Sequence, residues 1–170
     1  ALLILITVAL GFEFINGFHD TANAIAVSIH TGALSAGRAV ALAAVMNLLG
    51  AFASENVART ISGELISAAI DEYTIIAALI AAIIWNLFTW YLGMPASSSH
   101  ALIGALIGAS VVFTGSTDAV LWKNLVLKVV LPLFLCPPAG FAAGALASLF
   151  IKKENRIMQI VASAFVAFSH

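Results

Sequence analysis

Charge is what this sequence has least of. Lys and Arg number seven and Asp and Glu eight in 170 residues, 9% of the chain, where a soluble domain carries about 25%. So few ionisable groups cannot cover a water-facing surface, which excludes an ordinary soluble globule. The small basic complement, with a net charge of −1, also excludes nucleic acid as a partner, because that calls for a basic face. Cysteine occurs once, at Cys136, so an internal disulfide or a cysteine-based metal cluster is excluded. Its apolar setting before Pro137-Pro138 assigns it to packing. Neither Gly-x-Ser-x-Gly nor His-Glu-x-x-His occurs, which counts against a serine or zinc hydrolase.

What is present is apolar: 62% of residues are hydrophobic and the mean hydropathy is +1.10. Apolar runs approach or exceed the roughly 20 residues that cross a bilayer, and an all-α polytopic membrane protein follows. The first run covers residues 1–18, is interrupted at 19–23, and resumes over 24–29. Others are expected over 39–53, 74–92 and 131–151, with one more starting at Ile157. Residues 54–73 are the most polar. Ile61, Leu65, Ile66 and Ala69 recur there at helical spacing, which predicts a short interfacial helix. Trp85, Trp90 and Tyr91 mark an aromatic belt, while Trp122, Lys123 and Lys128 suggest an interfacial lead-in. The apolar stretch 101–113 is only about 13 residues, too short to span. It is either half of a broken helix or one arm of a re-entrant hairpin, with Gly104, Ala105 and Gly108 making a small face for close backbone approach. Lys152, Lys153 and Arg156 favour a cytoplasmic loop between the last two spans. No cleavable signal peptide is expected. Because Ala1 and His170 both lie within apolar runs, a longer protein is expected around this chain.

Two polar constellations interrupt these runs. The first contains Glu13, Asn16, His19, Asp20, Thr21 and Asn23. A carboxylate at membrane depth costs on the order of 3 kcal/mol and marks ion pathways. On a continuous helix Asn16, Asp20 and Asn23 share a face; if Gly17 helps interrupt the helix, freed carbonyls join Asp20 in holding a small cation. The oxygen-rich, sulfur-free set suits Na⁺ or a proton. Glu13 is either a second titratable site or a structural acid paired with Lys128, and His19 is either a proton-coupling group or a hydrogen-bonding one. The second constellation is Pro95-Ala96-Ser97-Ser98-Ser99-His100 at the head of a short apolar helix. Its hydroxyls, the unpaired N–H groups of a first turn and the positive end of the dipole together make an anion site.

The stretches Gly17-Phe18-His19-Asp20-Thr21-Ala22-Asn23-Ala24 and Pro95-Ala96-Ser97-Ser98-Ser99-His100-Ala101-Leu102-Ile103-Gly104 resemble the paired signatures of the inorganic phosphate transporter (Pit) family. The resemblance covers essentially the whole chain. It implies an inverted-repeat secondary transporter with broken or re-entrant helices, carrying phosphate with a coupling ion. Residues 1–156 then form the first transmembrane repeat, and residues 157–170 the leading helix of a truncated second one, since Ser169-His170 falls just before the second signature. His19, where many members have Asn, is like the bacterial low-affinity branch and lends weight to H⁺ over Na⁺. Phosphate, alone or as a metal-phosphate complex, is assigned to Ser97, Ser98, Ser99, His100, Thr21 and Asn23. The cation is assigned to Asp20 with Asn16, His19, Asn23 and Glu13. No cofactor beyond the coupling ion is expected. The expected location is the bacterial inner membrane, with multiple passes, and the expected assembly is a homo-oligomer, a dimer. Alternatives are a sulfate or other oxyanion permease of the same fold and, more remotely, an intramembrane hydrolase or a passive channel.

Overall fold

In hydrocarbon every backbone N–H and C=O must be paired within its own segment, so uncharged apolar runs become helices. The computed structural model describes residues 2–53, 65–66, 70–94, 96–150 and 156–169. Among them are seven α-helices: α1 (Leu2–His30), α2 (Ala36–Ala53), α3 (Glu72–Tyr91), α4 (Ser98–Thr114), α5 (Trp122–Leu125), α6 (Leu131–Phe150) and α7 (Arg156–Ser169). A 3₁₀ turn (Thr117–Ala119) precedes α5, and a π-helical turn (Val126–Val130) joins α5 to α6. The single β-type pairing among the described residues is an isolated antiparallel bridge between Ile66 and Val120. The all-α membrane architecture holds.

Three stretches are long and apolar enough to cross a bilayer: α1 with 29 residues, α3 with 20, and Trp122–Leu146 with 25. At 1.5 Å per residue α1 extends about 43 Å, more than the roughly 30 Å hydrocarbon core. The expected interruption at residues 19–23 is absent. Helix α1 runs unbroken through it, and the Thr21 hydroxyl donates to the Gly17 carbonyl inside the helix. Local hydrogen bonding therefore absorbs the polar run without unwinding it, and no freed carbonyls arise there. The lead-in with Lys123 and Lys128 is also helical, so the span expected from residue 131 begins at Trp122. Helix α4 has 17 residues rather than 13, because the serines join its first turn. At about 25 Å it still falls short of the core thickness. Most of the interfacial helix expected over 54–73 lies outside the described residues.

Local chemistry sets the ends of the two helices that carry the site. Asp71 caps α3 by accepting from the Thr74 N–H at 2.8 Å and from the Thr74 hydroxyl. These two bonds hold its carboxyl below the ordinary aspartate value. Ser97 caps α4, and Gly115 closes it in the left-handed region, φ 67°, returning its N–H to the Val111 carbonyl. That backbone conformation costs a residue with a Cβ free energy that glycine avoids.

Helix α1 is the axis of the packing. Toward its start, Phe12 packs with Leu79 and Ala82 of α3, joined by Leu5, Val8, Ala9, Ile75, Leu102 and Ala105. Toward its end, Ala24 and Ile25 pack with Ala39 and Ala43 of α2 and Ala167 of α7. These are largely alanine contacts, which let helices approach closely where lipid offers no hydrophobic contrast. The matching order of contacts, Phe12 at Ala82 and Phe18 at Trp90, makes α1 and α3 parallel. Helix α4 is antiparallel to both, since Ser98 meets Asp20 while Leu102 and Ala105 meet the Phe12 cluster. A third cluster seats Leu65 and Ile66 against Ala78 and Leu106. The described side chains of α6 are almost all exposed, including that of Cys136, so the packing role expected of this cysteine is not realised within the chain.

Candidate functional site

The two polar constellations, 78 residues apart in sequence, meet. The Ser98 hydroxyl donates to Asp20 Oδ2 at 2.8 Å, and His19 Nδ1 lies 2.9 Å from Asp20 Oδ1. Each carboxylate oxygen thus has its own partner, one from the same helix and one from α4. His19 and Asp20 are each 8% exposed and Ser98 is 1% exposed. An unpaired carboxylate so enclosed is costly, whereas one accepting two hydrogen bonds is tolerated. The residue types at 19, 20 and 98 therefore explain why these helices dock in this register.

Successive helical residues point about 100° apart, and the three serines show it. Ser98 turns inward to Asp20. Ser97 turns outward, its oxygen 2.8 Å from His100 Nδ1 and 3.4 Å from the His100 N–H. Ser99 is exposed. A cavity of about 480 Å³ is bordered by Ala81, Trp85, Ser97, His100, Ala101, Gly104 and Ala105. Its lining is polar at Ser97 and His100 and otherwise apolar. Asp20 does not border it. The polar side chains that border it, Ser97 and His100, are exposed, whereas the Asp20 carboxylate is enclosed.

The remaining residues singled out in the sequence divide. Asn16 is half-buried on the Asp20 side of α1, and its Oδ1 is enclosed without a partner. Thr21 is half-buried and turned to the Gly17 carbonyl. Asn23 is exposed, so the face predicted to unite Asn16, Asp20 and Asn23 is buried at its first two members and open at the third. Glu13 is exposed, and its expected pair with Lys128 is not formed; an ion pair joins His19 to Asp20 instead. Sequence reasoning passed over Asn86, an amide in the last third of α3 with no exposed surface. A lone amide inside an apolar span was its available signal. It also passed over the clasp between α1 and α7, where Ser28 Oγ lies 2.7 Å from Ser163 Oγ and the Thr31 hydroxyl donates to Gln159 Oε1 at 2.8 Å.

Chemically, this arrangement presents a buried anionic group beside a hydroxyl-rich helix start. Ser98 contacts the carboxylate directly and His19 sits on its other oxygen, so no histidine stands between serine and aspartate as a hydrolytic relay requires.

Comparison with known proteins bears on this geometry. The model of the phosphate transporter family matches residues 16–160. A probable low-affinity inorganic phosphate transporter of Bacillus subtilis (strain 168) is 42% identical over 187 residues, covering 99% of this chain and 54% of its own. One from Mycobacterium tuberculosis (strain ATCC 25618 / H37Rv) is 46% identical over 156 residues, covering 91% and 37%. The low-affinity inorganic phosphate transporter PitA of Escherichia coli (strain K12) is 42% identical over 158 residues, covering 84% and 32%. A solved structure described as the sodium-dependent phosphate transporter superposes with a TM-score of 0.74 at 24% identity, over 98% of this chain and 53% of that one. The chain thus spans between about a third and a little over half the length of these relatives.

Proposed function

The chain belongs to the phosphate transporter family, and from that premise we propose that it forms part of a cation-coupled inorganic phosphate symporter of the bacterial inner membrane. The family and the relatives are transporters, and the hydrolase alternative is set aside. Asp20 is the cation-coupling group, steadied by His19, with Asn16 nearby. Ser97, Ser98, Ser99 and the α4 N-terminus, with His100, Thr21 and Asn23, receive phosphate.

The observation that carries this reading is the 2.8 Å bond from Ser98 to Asp20. It puts a carboxylate in contact with the helix start that would hold the anion. Phosphate bears one to two negative charges near neutral pH, and two like charges about 4 Å apart repel by several kcal/mol at an effective dielectric of about 20. The carboxylate must therefore take up H⁺ or Na⁺ before phosphate settles beside it. Cation first and anion second is the binding order that makes transport coupled rather than passive. Hydroxyls and helix-end amides, in place of fixed cations, keep phosphate weakly enough held to leave. Because α1 is unbroken, the cation's ligands on this helix are side chains. The buried His19 on the Asp20 carboxylate supports H⁺ as the coupling ion.

The test is radiolabelled phosphate uptake by the full-length protein in liposomes, with H⁺ and Na⁺ gradients imposed separately and sulfate as competitor. Uptake against the phosphate gradient, driven by one cation and lost in Asp20→Asn, is expected. Normal cation-driven accumulation by a correctly inserted Asp20→Asn variant would sink the assignment.

A further inference from the structure

Asn86 is fully enclosed, and neither its Oδ1 nor its Nδ2 has a hydrogen-bond partner; Asn16 Oδ1 across the α1–α3 seam is enclosed and unpartnered as well. The register makes them neighbours in level. Phe12 packs on Ala82, and Asn16 and Asn86 lie one helical turn further along these parallel helices. Asp20 and Ser98 follow one turn beyond Asn16. The amide atoms are closed off by the helices of this chain, so no other part of a larger protein reaches them in this arrangement. Enclosed amide groups without partners are costly, so the closed seam is a state held at a disadvantage. Alanine contacts below them and the Phe18–Trp90 edge-to-face pair, centroids 5.2 Å apart, keep it shut.

We propose that Asn16 and Asn86 are pathway residues: the α1–α3 seam opens to water in another state of the transport cycle, and the two amides line the solute path there. Amide groups suit that place because the N–H donates to phosphate oxygens and the carbonyl oxygen faces the coupling cation. The unpaired atoms in the closed state then lower the cost of opening. This inference rests on the reading of Asp20 and Ser98 as the transport site.

The experiment uses the full-length protein, cysteine-free apart from Asn86→Cys, with Cys136 replaced by serine, reconstituted in liposomes. Labelling by a methanethiosulfonate reagent should run about tenfold faster during phosphate exchange than without phosphate. Ala39→Cys, buried among α1, α2 and α7, should stay unreactive in both conditions. No labelling at position 86 in either condition, or equal labelling at 39 and 86, overturns the proposal. Asn86→Leu gives an independent reading. Removing the unpaired atoms should favour the closed seam by a factor of about ten, which lowers the exchange rate and raises the thermal midpoint. Unaltered exchange or a lowered midpoint contradicts the proposal. If the unsubstituted protein exchanges no phosphate, the functional reading fails instead.

Discussion

Ser98→Ala deletes the hydroxyl that joins α4 to the Asp20 carboxylate and leaves the helix cap, which Ser97 supplies, in place. A hydrogen bond to a charged group contributes about 1.5–3 kcal/mol in soluble proteins. Interhelical bonds in membranes average about 0.6 and reach about 1.7 kcal/mol, because the separated helices find other partners. The Asp20–Ser98 bond combines a charged acceptor with near-complete burial, so it belongs at the upper end, about 1–2 kcal/mol. That is a five- to thirtyfold change in the folded-to-unfolded ratio. The measurement is reversible unfolding of the full-length protein in mixed detergent micelles, followed by tryptophan fluorescence, for Ser98→Ala, Asp20→Ala and the double variant. The coupling energy from this cycle is expected at about 1–2 kcal/mol. Ser99→Ala, one residue away but exposed, is the control and should change stability by less than about 0.5 kcal/mol. A coupling within about 0.3 kcal/mol of zero, or an equal loss for Ser99→Ala, refutes the claim that this bond docks α4 on α1.

Two further outcomes follow from the same reasoning. Ser28→Ala and Ser163→Ala should each loosen the hold of α7 on α1 by about 0.6–1.7 kcal/mol, and the double variant should cost little more than either single one; additive losses in the same unfolding assay contradict the clasp. Asp71 lies outside the span and its carboxyl is held below its ordinary value by Thr74. Its contribution is therefore complete above about pH 3.9 and is lost as pH falls through the lowered folded-state value. Amide hydrogen exchange in the first turn of α3 should accelerate below that range in the native protein, and Asp71→Asn should weaken the acceleration.

Much of this fold is legible because lipid leaves the backbone so few choices. The spans of α1, α3 and α6 follow from apolar length, and polarity at membrane depth singles out Asp20 and Ser98, which the fold encloses together. The continuity of α1 through residues 19–23 was not legible. Polar residues such as Thr21 read as a break, yet His19, Asp20 and Thr21 are served locally or across the seam, and only the three-dimensional partners reveal that. Nor could the sequence tell which of three consecutive serines turns inward, since α4 starts at residue 98 and its phase depends on where the cap falls. Asn86 was hidden for the opposite reason: one amide in a long apolar run perturbs no periodicity. The clasp at Ser28 and Ser163 joins residues 135 positions apart, a pairing that no local pattern encodes.

The unbroken α1 carries both contacts on one shaft. Ser28, held by α7, and Asp20, held by α4, are eight residues apart, about 12 Å of uninterrupted helix. A helix of that length bends little, so it transmits displacement with almost no slack. A displacement of α7 that kept Ser163 clasped to Ser28 would therefore carry Asp20 with it and load the Ser98 bond, which makes α1 a lever between its two clasps.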